Sequence, residues 1–205
     1  MRINMEKYLR STEIIDWDHP DVKDLAGSLS AGAKDKEDIA RRCFNWVRDN
    51  IKHSFDYQLS PVTCNASDVL AAGTGYCYAK SHLLVALLRA KGIHAGLCYQ
   101  RLSRESNGPP FVLHGLVAAY ITPYGWYRID PRGDRPDIAA RFTPPVERLA
   151  FKPLLKGEAD LPEIWPDPLP VVVEALLANK TWDALFENLP DIELLPKGGI
   201  MNHDI

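Results

Sequence analysis

The sequence predicts an α+β fold, in which a helical part packs on an antiparallel sheet, and this prediction rests on three observations. Residues 76–91 contain no Pro or Gly, and four leucines at helical spacing give a broad apolar stripe, as in a mostly buried helix. Residues 93–102 alternate as a strand does, and residues 111–121 and 126–130 are two further strand segments. Pro123-Tyr124-Gly125 joins the last two segments, which indicates an antiparallel hairpin.

The length and composition limit the class of protein. The chain has 205 residues, 46% of them hydrophobic, which is enough for one domain with a core. With 24 basic and 27 acidic residues, the net charge of -3 disfavours a nucleic acid or an anionic membrane as a partner. The sequence contains no run of 18 apolar residues, so it does not predict a transmembrane helix. The start, MRINMEKYLR, lacks the apolar core of a signal peptide, so we expect a cytoplasmic protein.

Two helices are predicted in the first fifty residues. Residues 22–29 follow a turn and form a short helix. Residues 36–50 form a longer one, and Asp35 is placed to cap it. Four residues of this second helix share an apolar face: Ile39, Cys43, Trp46 and Val47.

The segment between that helix and the leucine-rich helix is expected to be mostly irregular. Residues 51–57 are predicted to be short and extended. Ser67 is a plausible cap for a short turn over 68–72, which Gly73 ends. Gly92 suits the left-handed residue that follows the leucine-rich helix.

The character of the chain changes after Asp130. Prolines recur through residues 131–162, so regular structure is broken repeatedly. Residues 171–179 and 182–188 are predicted to be short helices. We expect a single domain over 1–205, with a core at about 36–132 and an irregular, Pro-rich C-terminal wrap over 133–205.

Cys77 is the first candidate functional residue. It follows a loop made by Gly73 and Gly75 and falls in the first turn of the leucine-rich helix. Unpaired N–H groups and the helix dipole stabilise an anion there, so we expect a thiol pKa below the usual value of about 8.5. The same N–H groups can bind a developing oxyanion. The alternative is an inert core cysteine.

The other cysteines lack this context. Cys43 falls within a helix, Cys98 within a strand and Cys64 in a loop, and no CxxC pair indicates a zinc site. In a reducing cytosol we expect four free thiols.

His114 and Asp130 are the second and third candidates, because a nucleophilic cysteine needs a base and a group that orients the base. They lie on the two strands of the predicted hairpin, and residue 122, midway between them, opens its turn. A bulge of about one residue would place them side by side on one face of the sheet. We expect that face to pack on the start of the Cys77 helix.

The three segments that carry these residues resemble the transglutaminase-like superfamily of thiol enzymes. The nucleophile segment of that family is similar to GTGYC at 73–77 and LLVALLRAKGIHA at 83–95. Its histidine strand is similar to VLH at 112–114, and its aspartate strand to GWYRIDP at 125–131. The resemblance covers roughly residues 39–132.

The resemblance implies a papain-like fold and acyl transfer through a thioester. It implies Cys77 as nucleophile, His114 as general base and acid, and Asp130 as the residue that orients His114. No cofactor or metal is expected, since no acidic cluster suggests the calcium sites of animal transglutaminases. One departure is Leu116, two residues after His114, where the family often has an aromatic residue, so we expect the substrate contacts to differ there.

Three functions are open. The first is cleavage or transfer of an acyl group from a peptide, protein or small amide, with hydrolysis favoured. The second is an acyltransferase similar to the arylamine N-acetyltransferases, which would need a coenzyme A site. The third is a non-catalytic peptide-binding module on the same fold. We expect specificity in the loop over 103–110 and in the segment after Pro131. The sequence leaves the substrate, a second oxyanion donor and the oligomeric state undetermined.

Other polar and aromatic residues have simpler interpretations. His82 and His94 are expected to be structural, and Trp46 and Trp126 to belong to the core. His53 and Asp56 lie shortly before the Cys77 loop and are candidates for lining the cleft.

Overall fold

Helices come first in the chain and the main sheet follows, as the sequence predicts. The computed structural model describes residues 4–136 and 138–194. After a single 3-10 turn at Met5–Tyr8, the helices are α1 Pro20–Ser30, α2 Lys36–Asn50, α3 Ser54–Tyr57, α4 Ala66–Ala72, α5 Cys77–Ala90, α6 Pro170–Ala178 and α7 Trp182–Glu187. The strands are β1 Lys52–His53, β2 Thr74–Gly75, β3 Ala95–Ser103, β4 Phe111–Ile121, β5 Gly125–Ile129 and β6 Ala159–Asp160.

The main sheet has four antiparallel strands in the order β5-β4-β3-β6. Strands β4 and β5 form the predicted hairpin, in which Val117 pairs with Ile129 and Ile121 with Gly125. A separate pair, β1 and β2, is parallel and joins His53 to Gly75.

This short parallel pair corrects two predictions. Residues 51–57 are not extended throughout, because only Lys52–His53 form a strand and Ser54–Tyr57 turn into a helix. Gly75 belongs to β2 rather than to a free loop, while Gly73 ends α4 in the left-handed conformation with a φ of +65°. The pairing joins residues 22 apart in sequence, so no local pattern signals it.

Two predicted helix starts have different outcomes. Asp35 caps α2 as expected, because its Oδ1 accepts a hydrogen bond from the N–H of Asp38 at 2.8 Å. The prediction for Ser67 is wrong. Helix α4 begins two residues earlier than predicted, after Asn65, and Ser67 bonds through both its N–H and its hydroxyl to the carboxylate of Asp16.

Helix α5 is the centre of the molecule. Thirteen of its fourteen residues are buried, and it contacts α1, α2, α4, β3 and β4. Its buried polar side chains bond to backbone carbonyls: Lys80 to Arg48 and Ile51, His82 to Cys64, and Arg89 to Ala95. Such bonds allow the helix to be enclosed on all sides, although Ser81 Oγ and His82 Nε2 are buried without a hydrogen-bond partner among the described residues.

The segment after β5 runs back along the sheet. Strand β6 extends the edge of β3, and Trp165 exchanges backbone bonds with Leu97 of β3. Helices α6 and α7 lie within one residue of their predicted bounds. The extent of the domain stays a prediction, and residues 137 and 195–205 of the predicted wrap lie outside the described residues.

Within residues 4–136 and 138–194, no helix is long and apolar enough to cross a membrane. The cytoplasmic location stays a prediction.

Candidate active site

Cys77 is the first residue of α5 and lies at the floor of a cleft. Its side chain is almost enclosed, with 7% of the residue exposed. The preceding residue, Tyr76, provides no side-chain cap to the helix, so the N–H groups of the first turn remain available. The hydroxyl of Tyr76 instead donates to the carbonyl of Trp182 at 2.6 Å, which ties the helix start to α7.

His114 and Asp130 form a buried pair. Nε2 of His114 lies 2.8 Å from Oδ2 of Asp130, and Asp130 has no exposed surface. The carboxylate also accepts bonds from the N–H groups of Arg132 and Ala150, each at 3.1 Å. Because Nε2 faces Asp130, Nδ1 is the nitrogen left for the sulfur of Cys77.

The electrostatics of the pair favour the charged forms. Burial alone would lower the pKa of His114, but the Asp130 carboxylate and Cys77 together raise it to about 10. Burial alone would raise the pKa of Asp130, but the charge and hydrogen bond of His114 and the two backbone N–H groups lower it. His114 therefore carries a proton at neutral pH.

The structure places His114 beside Asp130 without the predicted bulge. The β4–β5 ladder is regular from Ile121↔Gly125 to Val117↔Ile129, and the same register would put residue 130 opposite Leu116. His114 is two residues further along β4, on the same face. The two side chains are thus diagonal neighbours, which long side chains can bridge. The juxtaposition was predicted, but its geometric reason was wrong.

The prediction that the face carrying His114 packs on the start of the Cys77 helix holds only for Cys77, which hydrogen-bonds to His114, whereas the body of α5 packs on the opposite face of β4. Leu113 and Val117, at alternate positions of β4 to His114, join the core that contains the α5 leucines. Leu116 and Ala118 belong to a second cluster with Cys98 and Trp126. By strand alternation His114 points to the face away from the body of α5.

Cys77 reaches His114 around the edge of β4 instead. Strand β5 stops pairing at Val117, so the N–H groups of Gly115 and Leu113 have no strand partner on that side. The Gly115 N–H donates to Sγ of Cys77 at 3.5 Å, and the Leu113 N–H donates to the carbonyl of Pro190 at 2.8 Å. Tyr78 donates its hydroxyl to the Leu113 carbonyl. The early end of β5 thus creates the opening that the start of α5 fills.

The cleft above Cys77 has a volume of about 420 Å³. Phe151 covers His114, with the two rings edge to face and their centroids 4.9 Å apart. Other lining residues come from the loop after β3 and from the segment after Pro131: Arg104, Arg132, Lys152, Leu154, Leu155 and Phe186. Both regions were expected to bear on specificity.

The lining residues after Pro131, together with Ala150 behind the carboxylate, were missed by the sequence interpretation. Phe151 and Lys152 follow Asp130 by about twenty residues with no periodic pattern between. Only Arg132 could have been found from the sequence, because it lies two residues after Asp130. Its N–H donates a hydrogen bond to the Asp130 carboxylate.

His53 lines the cleft as expected, whereas Asp56 lies just outside it. His53 is 6% exposed, and its Nδ1 has no hydrogen-bond partner among the described residues. Burial and then the nearby Arg132 cation lower the pKa of His53 well below its usual value, so the ring is neutral. Asp56 is held by both nitrogens of the Arg132 guanidinium, at 2.8 and 2.9 Å.

The remaining candidates are structural. His82 is fully buried and bonded to the Cys64 carbonyl at 2.8 Å, and burial lowers its pKa to about 4. His94 precedes β3 and packs edge to face on Tyr120. Trp46 and Trp126 pack against the two hydrophobic clusters, as predicted.

All four cysteines are free, as predicted, and three of them are inert by environment. Burial raises the pKa of Cys43, Cys64 and Cys98 to about 12 in each case. No group of three or more metal-ligating side chains occurs in the part of the chain that the structure describes.

One solved structure shares this architecture over part of its length, and a second is a weaker match. A candidate cysteine protease from Cytophaga hutchinsonii matches with a TM-score of 0.51 at 21% identity, over 64% of this chain and 43% of that one. The periplasmic domain of TgpA from Pseudomonas aeruginosa matches with a TM-score of 0.44 at 18% identity, over 63% of this chain and 48% of that one. This chain spans less than half the length of either protein. At these identities the likeness concerns the fold.

Sequence comparison gives the family. A search of curated proteins found no significantly similar sequence. The family model for the transglutaminase-like superfamily matches residues 23–131. The match covers more than half of the chain and includes Cys77, His114 and Asp130. The protein therefore belongs to the transglutaminase-like superfamily.

Proposed function

We propose that the protein is a cysteine enzyme that cleaves or transfers an acyl group from an amide or peptide bond through a thioester on Cys77. The observation that carries this proposal is the 2.8 Å contact between His114 and Asp130 beside the N-terminal end of the Cys77 helix. A thiol, a base and a carboxylate that orients the base are the parts required for nucleophilic acyl transfer.

In the first half of the reaction, the sulfur of Cys77 forms a bond to the carbonyl carbon. The carbonyl oxygen takes up negative charge and is met by the N–H of Cys77 at the helix start. The carbon–nitrogen bond then breaks, and His114 delivers its proton to the departing amine. The raised pKa of His114 suits this step, because the proton is already in place at neutral pH.

In the second half, water attacks the thioester carbon, and His114, now neutral, takes a proton from that water. The carbon–sulfur bond breaks, the carboxylic acid leaves, and the Cys77–His114 pair is restored. An amine in place of water would give transfer instead of hydrolysis through the same acyl-enzyme. We propose hydrolysis, with a peptide, a protein or a small amide as substrate and with no cofactor.

Selective alkylation tests the proposal. At pH 6, we expect iodoacetamide to label Cys77 at least about tenfold faster than Cys43, Cys64 or Cys98, because Cys77 lies beside His114 at a helix start whereas burial raises the pKa of the other three thiols. The His114→Ala variant should lose this selectivity. Peptide mapping by mass spectrometry measures all four sites in one sample.

Slow and equal labelling of the four cysteines would favour a non-catalytic binding module on the same fold. A turnover assay with p-nitrophenyl acetate completes the test, since an acyl-enzyme gives a burst of one nitrophenol per active site. The Cys77→Ser variant is its control.

A further inference from the structure

We propose that the cleft is built for an acyl donor that carries a carboxylate, and that Arg104 and Lys152 bind this carboxylate. The inference rests on the proposed function, because it names the substrate class of the same site. It starts from the charges that line the cleft.

The lining of the cleft is strongly basic, although the whole chain is acidic. It contains four permanent cations, Arg104, Arg132, Arg135 and Lys152, against Glu158 as the one acidic side chain among the described residues. The net charge of the chain is -3. A cleft of one sign within a low-dielectric wall concentrates ligands of the opposite sign.

Glu158 offsets only one of the four positive charges, and its carboxylate is held in place by backbone N–H groups. One oxygen accepts from the N–H of Ser103 at 2.8 Å, and the other from the N–H groups of Leu154 and Leu155 at 2.8 and 2.9 Å. Its pKa is lowered, with the three N–H bonds outweighing burial. Glu158 therefore shapes the rim of the cleft.

The four cations differ in how far they are neutralised. Arg132 has a close bidentate partner in Asp56, which lies just outside the cleft, and Arg135 contacts the same carboxylate at 3.4 Å. The one Asp56 carboxylate engages both guanidinium groups and offsets one of their two charges. These two residues therefore hold the wall of the cleft in place.

Arg104 and Lys152 are matched poorly. The guanidinium of Arg104 lies 3.4 Å from Glu105 and 3.8 Å from Glu187, both of which are well exposed, and its buried Nε has no hydrogen-bond partner. Lys152 makes no ion pair within the described residues and is exposed at the rim. These two side chains have donors left for a ligand.

Their surroundings define the rest of the ligand. Arg104 stacks on Phe186, and Lys152 follows Phe151, the residue that covers His114. Leu154 and Leu155 line the same cleft and are 79% and 38% exposed. A carboxylate on an apolar stem fits this combination of cations and exposed apolar surface, as in an acidic peptide or a dicarboxylic acid amide.

The test compares two alkylating agents that differ in charge. Iodoacetate carries a carboxylate and iodoacetamide does not, while both attack the same sulfur of Cys77. The ratio of their rates cancels any change in the sulfur itself and reports the charge that the reagent meets in the cleft. Rates are measured on the full chain at pH 7 and low salt, for the wild type, Lys152→Ala, Lys152→Glu and Arg104→Gln.

We expect the ratio of iodoacetate to iodoacetamide rates to fall about twofold for each unit of charge removed, the size expected for one charge at about 8–10 Å through water. Lys152→Glu should therefore lower it about fourfold. Added salt should shrink these differences. The matched control is Lys156→Ala, an exposed lysine of the same segment that does not line the cleft, and it should leave the ratio unchanged.

A second readout uses acyl donors. Mono-p-nitrophenyl glutarate should acylate the wild type faster than p-nitrophenyl acetate, and Lys152→Glu should reverse that preference. If Cys77 is alkylated selectively but the ratio does not respond to Lys152 or Arg104, this inference is overturned and the proposed function stands. If Cys77 shows no selective reaction with either reagent, the proposed function fails and the inference fails with it.

Discussion

His114 shows how the charge state of one buried group depends on its partners. Burial on its own would keep the imidazole neutral, as it does at His53 and His82. The carboxylate of Asp130 reverses that outcome, since it is itself buried, ionised and held by two backbone N–H groups. The three histidines share burial and differ in the anion that they face.

Asp130→Asn tests this dependence directly. The amide keeps the size of the side chain but removes the charge that raises the pKa of His114 and can present the wrong tautomer to Nδ1. We expect turnover of p-nitrophenyl acetate to fall by about 10³- to 10⁴-fold, the size reported for orienting carboxylates in such triads. Unchanged turnover would remove Asp130 from the proposed mechanism.

The fold of the variant must be followed in the same experiment. Circular dichroism should show an intact protein, and NMR titration of the ring carbons should show a lower pKa for His114. A fall in activity without a shift in the titration of His114 would point to misorientation alone.

The sequence predicted the three residues of the site but not how they meet. Spacing around a turn indicates which residues can pair, and it placed His114 near Asp130. It does not show where pairing stops, and here β5 ends at Ile129, which leaves the edge of β4 open to Cys77. That end depends on where Asp130, Pro131 and Arg132 pack, which is a tertiary property.

At the scale of elements, the contact between α5 and β4 depends on one glycine. A Cβ on Gly115 would lie 2.9 Å from Cδ1 of Tyr78 and 3.2 Å from its Cα, so the start of α5 approaches the strand more closely than any other residue permits. The same residue donates its N–H to the sulfur of Cys77.

Gly115→Ala should therefore push the start of α5 away from β4. We expect a loss of about 1–3 kcal/mol in the free energy of unfolding, as for other overpacked sites, together with slower alkylation of Cys77. Gly27→Ala in α1 is the matched control, because a Cβ there meets nothing within 4 Å. It should instead stabilise the protein by up to about 1 kcal/mol through helix propensity. Equal stability of the two variants, measured by urea unfolding, would contradict the packing argument.

Elements with local start and stop signals were predicted closely. Helix α2 has its predicted bounds, with Asp35 as the N-cap, and β4 lies between a Gly/Pro loop and a turn as expected. The pair β1 and β2 was missed because each strand has two residues and pairs with a partner distant in sequence. A pattern of two residues carries no periodicity.

At the scale of the molecule, the segment after Pro131 completes the site. It supplies the Ala150 N–H behind Asp130, the ring of Phe151 over His114 and the carbonyl of Pro190 at the edge of β4. Asp191 fixes this segment to β3 through a bidentate contact with Arg101, at 2.7 and 2.6 Å. Its many prolines predicted irregular structure correctly, but irregular segments are positioned by contacts that a sequence pattern does not encode.

Asp191→Asn tests whether this anchoring matters for the site. Because the Arg101 side chain is largely buried, loss of the charged partner should cost about 1–3 kcal/mol of stability. We expect acylation of Cys77 to slow as the covering of His114 loosens. Asp167→Asn is the control, since its contact with Arg10 is more exposed and neither residue lines the cleft. A larger loss of acylation rate in the control would contradict a role of this anchor.

The dependence of stability on pH combines two buried groups, His114 in the site and Lys80 in helix α5. The pKa of His114 is raised to about 10, so its contribution is complete below its unfolded pKa of about 6.5 and is lost as pH rises. Burial lowers the pKa of Lys80 to about 7, so between about 7 and 10.5 the unfolded state binds more protons there and stability rises with pH. Between pH 7 and about 7.5, where the thiols of the unfolded chain are still mostly protonated, these two slopes oppose each other, each at most about 1.4 kcal/mol per pH unit. We therefore expect urea unfolding of the wild type to vary little over this range, Lys80→Met to lose stability as pH rises, and His114→Gln to gain it. The double variant should be flat again, and parallel curves for all four proteins would show that neither group titrates as its surroundings indicate.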